Sequence, residues 1–369
     1  MNHRERFLRT MKFQTVDRVP DYEFGAWEQT IQRWHNEGLP KEYDGVWSAI
    51  NGYFKTDTCF EIYINTGLNP NFSPQSKYSI LEEKGDHLVI LDEDGATCEM
   101  MKPELGASIP RYLRHAIKTR QDWEKIKAER LDLTTPGRLP KTIDQLCKSS
   151  WSSEDPVVVR IGSLYGWLRN WMGVENLSYA ICDEPEWIEE MMEHLTVLCL
   201  SVLEKVAGTI KIDVANIWED MCFRTGPLLS PRHFGQWMVP RYKRITDFLK
   251  NECNCEFTMV DCDGNIHQLA PLWLNGGVNV MFPLEVAHTD AYQLSKEFGS
   301  KMALRGGFDK IALINGKDAI DKEFERISPL FKKGGFIPHT DHLVPPDVSF
   351  EDYLYYRKKK CELISRKDL

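Results

Sequence analysis

Residues 338–347 read PHTDHLVPPD, a stretch that sets His339, Asp341 and His342 between prolines. A loop that only connects elements can be almost any polar sequence, whereas proline fixes φ and stiffens the backbone around its neighbours. Acids recur ahead of this loop: Glu219 and Asp220 in IWEDM, Asp261 and Asp263 in MVDCDG, and Glu285 in FPLE. Arg169 and Arg305 supply cations near the same runs, and Tyr22, Trp27, Trp167 and Trp171 supply rings. Carboxylates and imidazoles brought to one place suit a divalent metal, general acid–base work, or both. On that chemistry Glu219, Asp220, Asp261, His339 and His342 are the candidate catalytic groups. Asp261, Asp263, Glu285 and His339 are the candidate metal ligands. Tyr22, Trp27, Trp167, Arg169, Trp171 and Arg305 are the candidate substrate-binding groups.

Each has a purely structural alternative. Glu219 and Asp220 could cap a helix or pair with an arginine. Asp263 before Gly264 could serve an Asx turn. The histidines could organise their own loop through backbone hydrogen bonds, and Trp167 and Trp171 could simply pack.

The elements that would position these residues follow from periodicity. Strand-like runs fall at 18–24, 59–65, 157–164, 213–218, 256–261, 278–283, 301–306 and 335–338. From the third onward they alternate with helical runs, one of them opened by Ser230 as N-cap with Pro231 behind it. Such alternation builds a parallel sheet from right-handed βαβ units, either open and doubly wound or closed as a barrel. No GxGxxG follows the first run, and eight strands favour a (β/α)8 TIM barrel over residues 1–369 as one domain. An N-terminal amphipathic helix carrying Phe7, Leu8 and Met11 precedes it. An insertion at about 66–150 interrupts it, with β-hairpin chemistry in 78–102 and helical, polar sequence in 111–150. In a barrel the C-terminal strand ends share one mouth, and every candidate above sits at a strand exit.

Composition narrows the rest. Net charge is −9, so a nucleic-acid partner, which needs a basic face, is not expected. No stretch is apolar enough to span a membrane, and the charged N-terminal segment lacks a signal-like apolar run, so a cytoplasmic protein is expected. The ten cysteines are scattered without a CxxC pair; Cys253 and Cys255 form a CxC with no partner ligands nearby in sequence.

The segments RERFLRTMKFQTVDRVP, GWLRNWMGVENLSYAICDEPEWIEEMM, DCDGNIHQLAPLWLNGGVNVMFPLE, LRGGFDK and GGFIPHTDHLVPPDVSFEDYLYY resemble, in order, the uroporphyrinogen decarboxylase superfamily. The resemblance implies a (β/α)8 barrel that is a decarboxylase, a corrinoid-linked methyltransferase or a relative of these. True uroporphyrinogen decarboxylases carry an arginine-rich RQAGR-type segment soon after the first strand; here that place reads EFGAWEQTIQRW. Coenzyme M methyltransferases carry HxC zinc ligands after the fifth strand; here Asp261-Cys262-Asp263 stands there, and PHTDH replaces the late cysteine's region. What the resemblance implies is therefore a methyltransferase moving a methyl group between a small methylated substrate and a corrinoid held by a partner protein. A divalent metal such as zinc could be held by oxygen and nitrogen ligands. A decarboxylase of uroporphyrinogen or a smaller acid and a non-catalytic corrinoid- or tetrapyrrole-binding barrel are the alternatives. Superfamily members often dimerise, so a homodimer is a further expectation, with no interface legible in the sequence.

Overall fold

Side chains on a strand point alternately to its two faces, and that period of two organises this molecule. The computed structural model describes residues 1–63, 76–102, 109–135 and 137–365. The first strand is β1 (Phe60–Tyr63). The insertion then folds as an antiparallel sheet, β2 (Ser79–Lys84), β3 (His87–Leu91), β4 (Thr97–Met101) and β5 (Arg111–Arg114). The main sheet resumes with β6 (Val157–Gly162) and β7 (Val214–Trp218). A two-residue ribbon follows, β8 (Cys222–Phe223) with β9 (Gly226–Pro227). Four more parallel strands complete it: β10 (Phe257–Asp261), β11 (Val280–Phe282), β12 (Ala303–Phe308) and β13 (Phe336–Thr340). The seven-stranded parallel sheet runs β1-β6-β7-β10-β11-β12-β13, with helices between successive strands from β6 onward. Ser230 caps its helix as expected, its hydroxyl accepting from His233 N–H at 3.2 Å. No helix among the described residues is long and apolar enough to cross a membrane.

The two faces are chemically distinct. Val157, Val159, Ala215, Ile217, Val260, Met281, Leu304 and Phe336 belong to the large core between sheet and helices. Their neighbours one position to either side, Val158, Val214, Met259, Val280, Phe282, Ala303 and Ile337, form a second buried cluster on the inner face. Phe7 and Met11 of helix His3–Met11 join that inner cluster. Burying each such side chain contributes roughly 1.5–3 kcal/mol. The N-terminal helix expected from its apolar spacing is therefore a plug for the inner face.

Two expectations need correction. Residues 18–24 are not a ladder strand. Pro20 has no N–H to give, and the segment's backbone bonds are isolated: Asp57 N–H to Asp21 O at 2.9 Å, Val19 N–H to Ile364 O at 3.1 Å and, just beyond it, Val344 N–H to Gly25 O at 3.0 Å. The 111–150 stretch, expected to be helical, opens with β5. Its helices are Arg120–Arg130, begun by a Thr119/Asp122 capping box, and Ile143–Ser152. Parts of the expected insertion and of the 59–65 run lie outside the described residues.

Side chains rather than a ladder fasten the 18–24 segment. Arg357 of the C-terminal helix Phe350–Ile364 grips Asp21 through two bonds of 2.9 and 2.6 Å and also bonds Glu23. Lys360, fully buried, donates to Glu23 at 2.8 Å and to Tyr22 O. Burial alone would raise the Asp21 carboxyl, but Lys360 and Arg357 outweigh it and hold it well below the carboxylate range. That stabilisation is fully present above the ordinary carboxyl pKa and is lost as pH falls below about 4. Lys360→Met should cost about 3–5 kcal/mol in urea unfolding at neutral pH, because it leaves buried carboxylates short of a cation. It should also flatten the acid-side loss of stability. An unchanged unfolding midpoint would show that the network does not fasten the segment.

Candidate active site

The inner face opens into a cavity of about 660 Å³, lined among others by Tyr22, Trp167, Asn216, Asp261, Phe282 and Arg305. That volume suits a small molecule. Register places these groups together: Asp261 at the end of β10 lies beside Trp218 of β7 and Phe282 of β11. Arg305 stands two positions after Ala303 on β12 and so shares its inner face. Of the substrate-binding residues expected from sequence, Tyr22, Trp167 and Arg305 line the cavity; of the catalytic ones, Asp261 alone does.

Arg305 lies between two rings, its guanidinium carbon 5.0 Å from the Tyr22 centroid and 5.2 Å from that of Phe282. Both distances are within cation–π range. Its Nη1 reaches only the Met259 sulfur at 3.6 Å, and its Nε is buried without a hydrogen-bond partner. Among the described residues no carboxylate pairs with it. Arg160, the other cavity arginine, pairs with Glu61 at 3.3 Å. Across the cavity, burial drives the Asp261 carboxyl well above the usual range, and the charges of Asp263 and Asp220 push it further. Arg160 and Arg305 pull the other way without reversing the shift. The shift favours the neutral acid form of Asp261. Burial likewise raises the Cys59 thiol to about 11, so Cys59, also on the wall, stays uncharged.

Glu219 behaves as its structural alternative allowed. It is fully buried and accepts four bonds: Leu164 N–H at 2.8 Å, and Tyr165 N–H, Gly166 N–H and the Ser163 hydroxyl at 2.9 Å each. These donors are the first turn of helix Tyr165–Met172, whose N-terminus favours negative charge. Burial raises Glu219 to about 7 against the pull of the donors. A Cβ on Gly166 would stand 2.7 Å from Glu219 O and from Ser163 Oγ, so only glycine fits that approach. Asp220 is committed as well. It takes φ +38° and pairs with Arg169 at 2.8 Å, while Arg169 also bonds the Asp220 carbonyl and covers Trp218 at 5.1 Å. Glu219, Asp220 and Arg169 therefore fix the helix that carries Trp167 and do not line the cavity. Trp171 stacks behind Trp167 at 6.3 Å, and Trp27 caps helix Glu28–Glu37 away from the lining.

The histidine loop departs furthest from expectation. His339 is fully buried; burial and the Arg305 charge hold it well below the usual imidazole range. Its Nδ1 lies 2.7 Å from Thr340 O, so Nδ1 carries the hydrogen. Phe282 at 5.4 Å and Phe24 at 6.2 Å pack on its ring; both line the cavity, which His339 does not reach. His342 lies 3.5 Å from Asp263 and against Phe24, at the half-exposed rim. Glu285 accepts from Gly264 N–H at 2.9 Å. No group of three or more His, Cys, Asp or Glu side chains able to hold one metal ion occurs among the described residues. Asp261, Asp263, Glu285 and His339 are thus not a ready ligand set: rings wall off one, and other partners engage two.

Sequence reasoning missed Asn216 and Phe282. Asn216 is depleted chemistry for a strand interior, two positions before Trp218 on the inner face, and that oddity was its available signal. Phe282 reads as an ordinary buried strand residue and carried no signal.

Comparison with known proteins places this geometry. The family model "Uroporphyrinogen decarboxylase (URO-D)" matches residues 85–356. A uroporphyrinogen decarboxylase of Vesicomyosocius okutanii subsp. Calyptogena okutanii (strain HA) is 24% identical over 176 residues, 46% of this chain; the match spans 47%, about half, of that relative's length. Among solved structures, a methyltransferase from Methanosarcina mazei superposes with a TM-score of 0.60 at 12% identity, covering 98% of this chain and 99% of that one, which is a likeness of fold. A B12-independent methionine synthase from Shewanella sp. W3-18-1 gives 0.44 at 11% identity, covering 94% and 98%. With its matched segment taking in every strand of the parallel sheet after β1, the chain belongs to the uroporphyrinogen decarboxylase (URO-D) family.

Proposed function

We infer that this chain is a methyltransferase of the family, removing a methyl group from a small methylated anion with Asp261 as general acid. The observation that carries the reading is the raised carboxyl of Asp261 in the same cavity as the unpaired guanidinium of Arg305. Arg305 anchors the anion, and the rings of Tyr22, Phe282 and Trp167 wall the body of the substrate. As the methyl carbon is taken by a nucleophile, its bond to oxygen or nitrogen breaks and the electron pair stays on that atom. Asp261 gives that atom its proton, so the demethylated product leaves neutral at the reacting group. A corrinoid on a partner protein would supply the methyl-accepting nucleophile. In this reading the 18–27 segment closes the gap between β1 and β13, so that the sheet works as a (β/α)8 barrel with the cavity at its mouth.

Decarboxylation of uroporphyrinogen, suggested by the family model and the curated relative, fits the cavity less well. Its several acetates need several cations, and of the two cavity arginines one is already neutralised by Glu61. A carboxylate gripped by Arg305 is also stabilised in the ground state, which opposes its loss as carbon dioxide.

Incubation with cob(I)alamin and a panel of methoxylated and N-methylated acids should yield methylcobalamin with at least one donor. Carbon dioxide from uroporphyrinogen, with no methyl transfer from any donor, would replace this reading by the decarboxylase one. Asp261→Asn should lower kcat by about 10²–10⁴-fold, the usual worth of a general acid. Wild-type activity should fall as pH rises through the raised Asp261 pKa, because only the protonated form acts. The same substitution should stabilise the fold at alkaline pH. A raised folded-state pKa costs stability once the unfolded carboxyl ionises, and the cost grows until the folded one does too. Glu219→Gln should behave oppositely, losing about 1–3 kcal/mol of stability because an amide N–H then faces the Leu164 N–H. A stability loss in Asp261→Asn as large as that in Glu219→Gln would place Asp261 in the scaffold instead.

A further inference from the structure

Four residues that line the cavity each keep a buried polar atom without a hydrogen-bond partner: Arg305 Nε, Asn216 Oδ1, Trp167 Nε1 and the Tyr22 hydroxyl. Folded proteins keep few such atoms, since each costs about 1–3 kcal/mol. Here they share one space, and their needs are complementary. The arginine and the indole can only donate, and the asparagine amide, free to turn over, can donate or accept. The charge balance is equally specific. Glu61 neutralises Arg160, Arg18 holds Asp57 at 2.6 Å, and Lys360 with Arg357 holds Glu23, which leaves Arg305 as the cation awaiting an anion. The walls are flat: Trp167 and Trp218 lie 5.3 Å apart, and Phe24 and Phe282 stack at 5.0 Å.

We propose that the cavity selects a monoanion with a planar apolar body, its carboxylate-like group on Arg305 and its polar substituents on Asn216 and Trp167. A second negative charge on the ligand would find no cation without a carboxylate partner among the described lining residues and would meet the Glu61 carboxylate instead. The anion preference stands independently of methyl transfer; only the methyl substituent of the ligand rests on the function proposed above.

Calorimetric titration of the full chain tests this with two matched pairs, 4-methoxybenzoate against 4-methoxybenzamide and methoxyacetate against methoxyacetamide, and with uroporphyrin as a polyanion. The wild type should bind 4-methoxybenzoate about tenfold or more tighter than its amide, as a charge-assisted bond predicts. It should bind methoxyacetate more weakly for want of a ring. Arg305→Met should abolish the preference for the charged member, and Arg305→Lys should keep part of it. Trp167→Phe, which keeps the wall and removes the N–H, should weaken both members of the first pair by about threefold to tenfold. Circular dichroism of each variant separates a lost contact from a lost fold. Equal binding of acid and amide, a preference surviving in Arg305→Met, no binding of either carboxylate at millimolar concentration, or uroporphyrin binding as tightly as 4-methoxybenzoate would overturn the proposal. Selective binding without methyl transfer to cob(I)alamin would contradict the methyltransferase reading alone. Methyl transfer confined to uncharged donors would contradict the monoanion alone.

Discussion

A parallel sheet covered by helices must hide one face completely, so each of its strands commits every second residue to the helix side. What remains for chemistry is the other half. Val158, Val214, Phe257, Val280, Ala303 and Ile337 spend that half on a dry inner cluster, sealed by Phe7 and Met11. Closer to the C-terminal ends the same face carries Arg160, Asn216, Asp261 and Arg305. The transition from apolar to polar along a single face creates the site: burial against the inner cluster raises Asp261, and strands β10 and β12 carry Asp261 and Arg305 to the same cavity.

Carboxyl groups in this molecule take their roles from their partners. Asp21 and Glu23 are buried with two cations and become fasteners for a segment that lacks a ladder. Glu219 is buried with four hydrogen-bond donors and becomes a helix cap. Asp220 is tied to Arg169, and Glu285 to the Gly264 amide. Asp261 lies beside like charges, which Arg160 and Arg305 offset only in part, and its raised pKa favours the form that has a proton to give. The arginines divide in the same way. Most meet a carboxylate, and Arg305 meets two aromatic faces, which leaves its charge available.

The order of parallel strands was legible because alternation and turn chemistry act locally. All seven described strands of the sheet overlap runs visible in the sequence. The 18–24 run misled because its β-like composition serves a fastening by Arg357 and Lys360, more than 330 positions away. Asp261 and Arg305 were legible as polar residues in strands. Glu219 and Asp220 looked equally chemical, because a sequence does not reveal that the amides of Leu164 to Gly166 converge on one of them. His339 failed for a similar reason: the two phenylalanine rings over it come from separate segments.

The protonation state of one side chain decides between this account and a purely structural one. Infrared difference spectra of wild type against Asp261→Asn at neutral pH should show the carbonyl stretch of a neutral carboxylic acid in the wild type and its disappearance in the variant. A carboxylate band in its place would mean that Asp261 is already ionised when substrate arrives and has no proton to deliver.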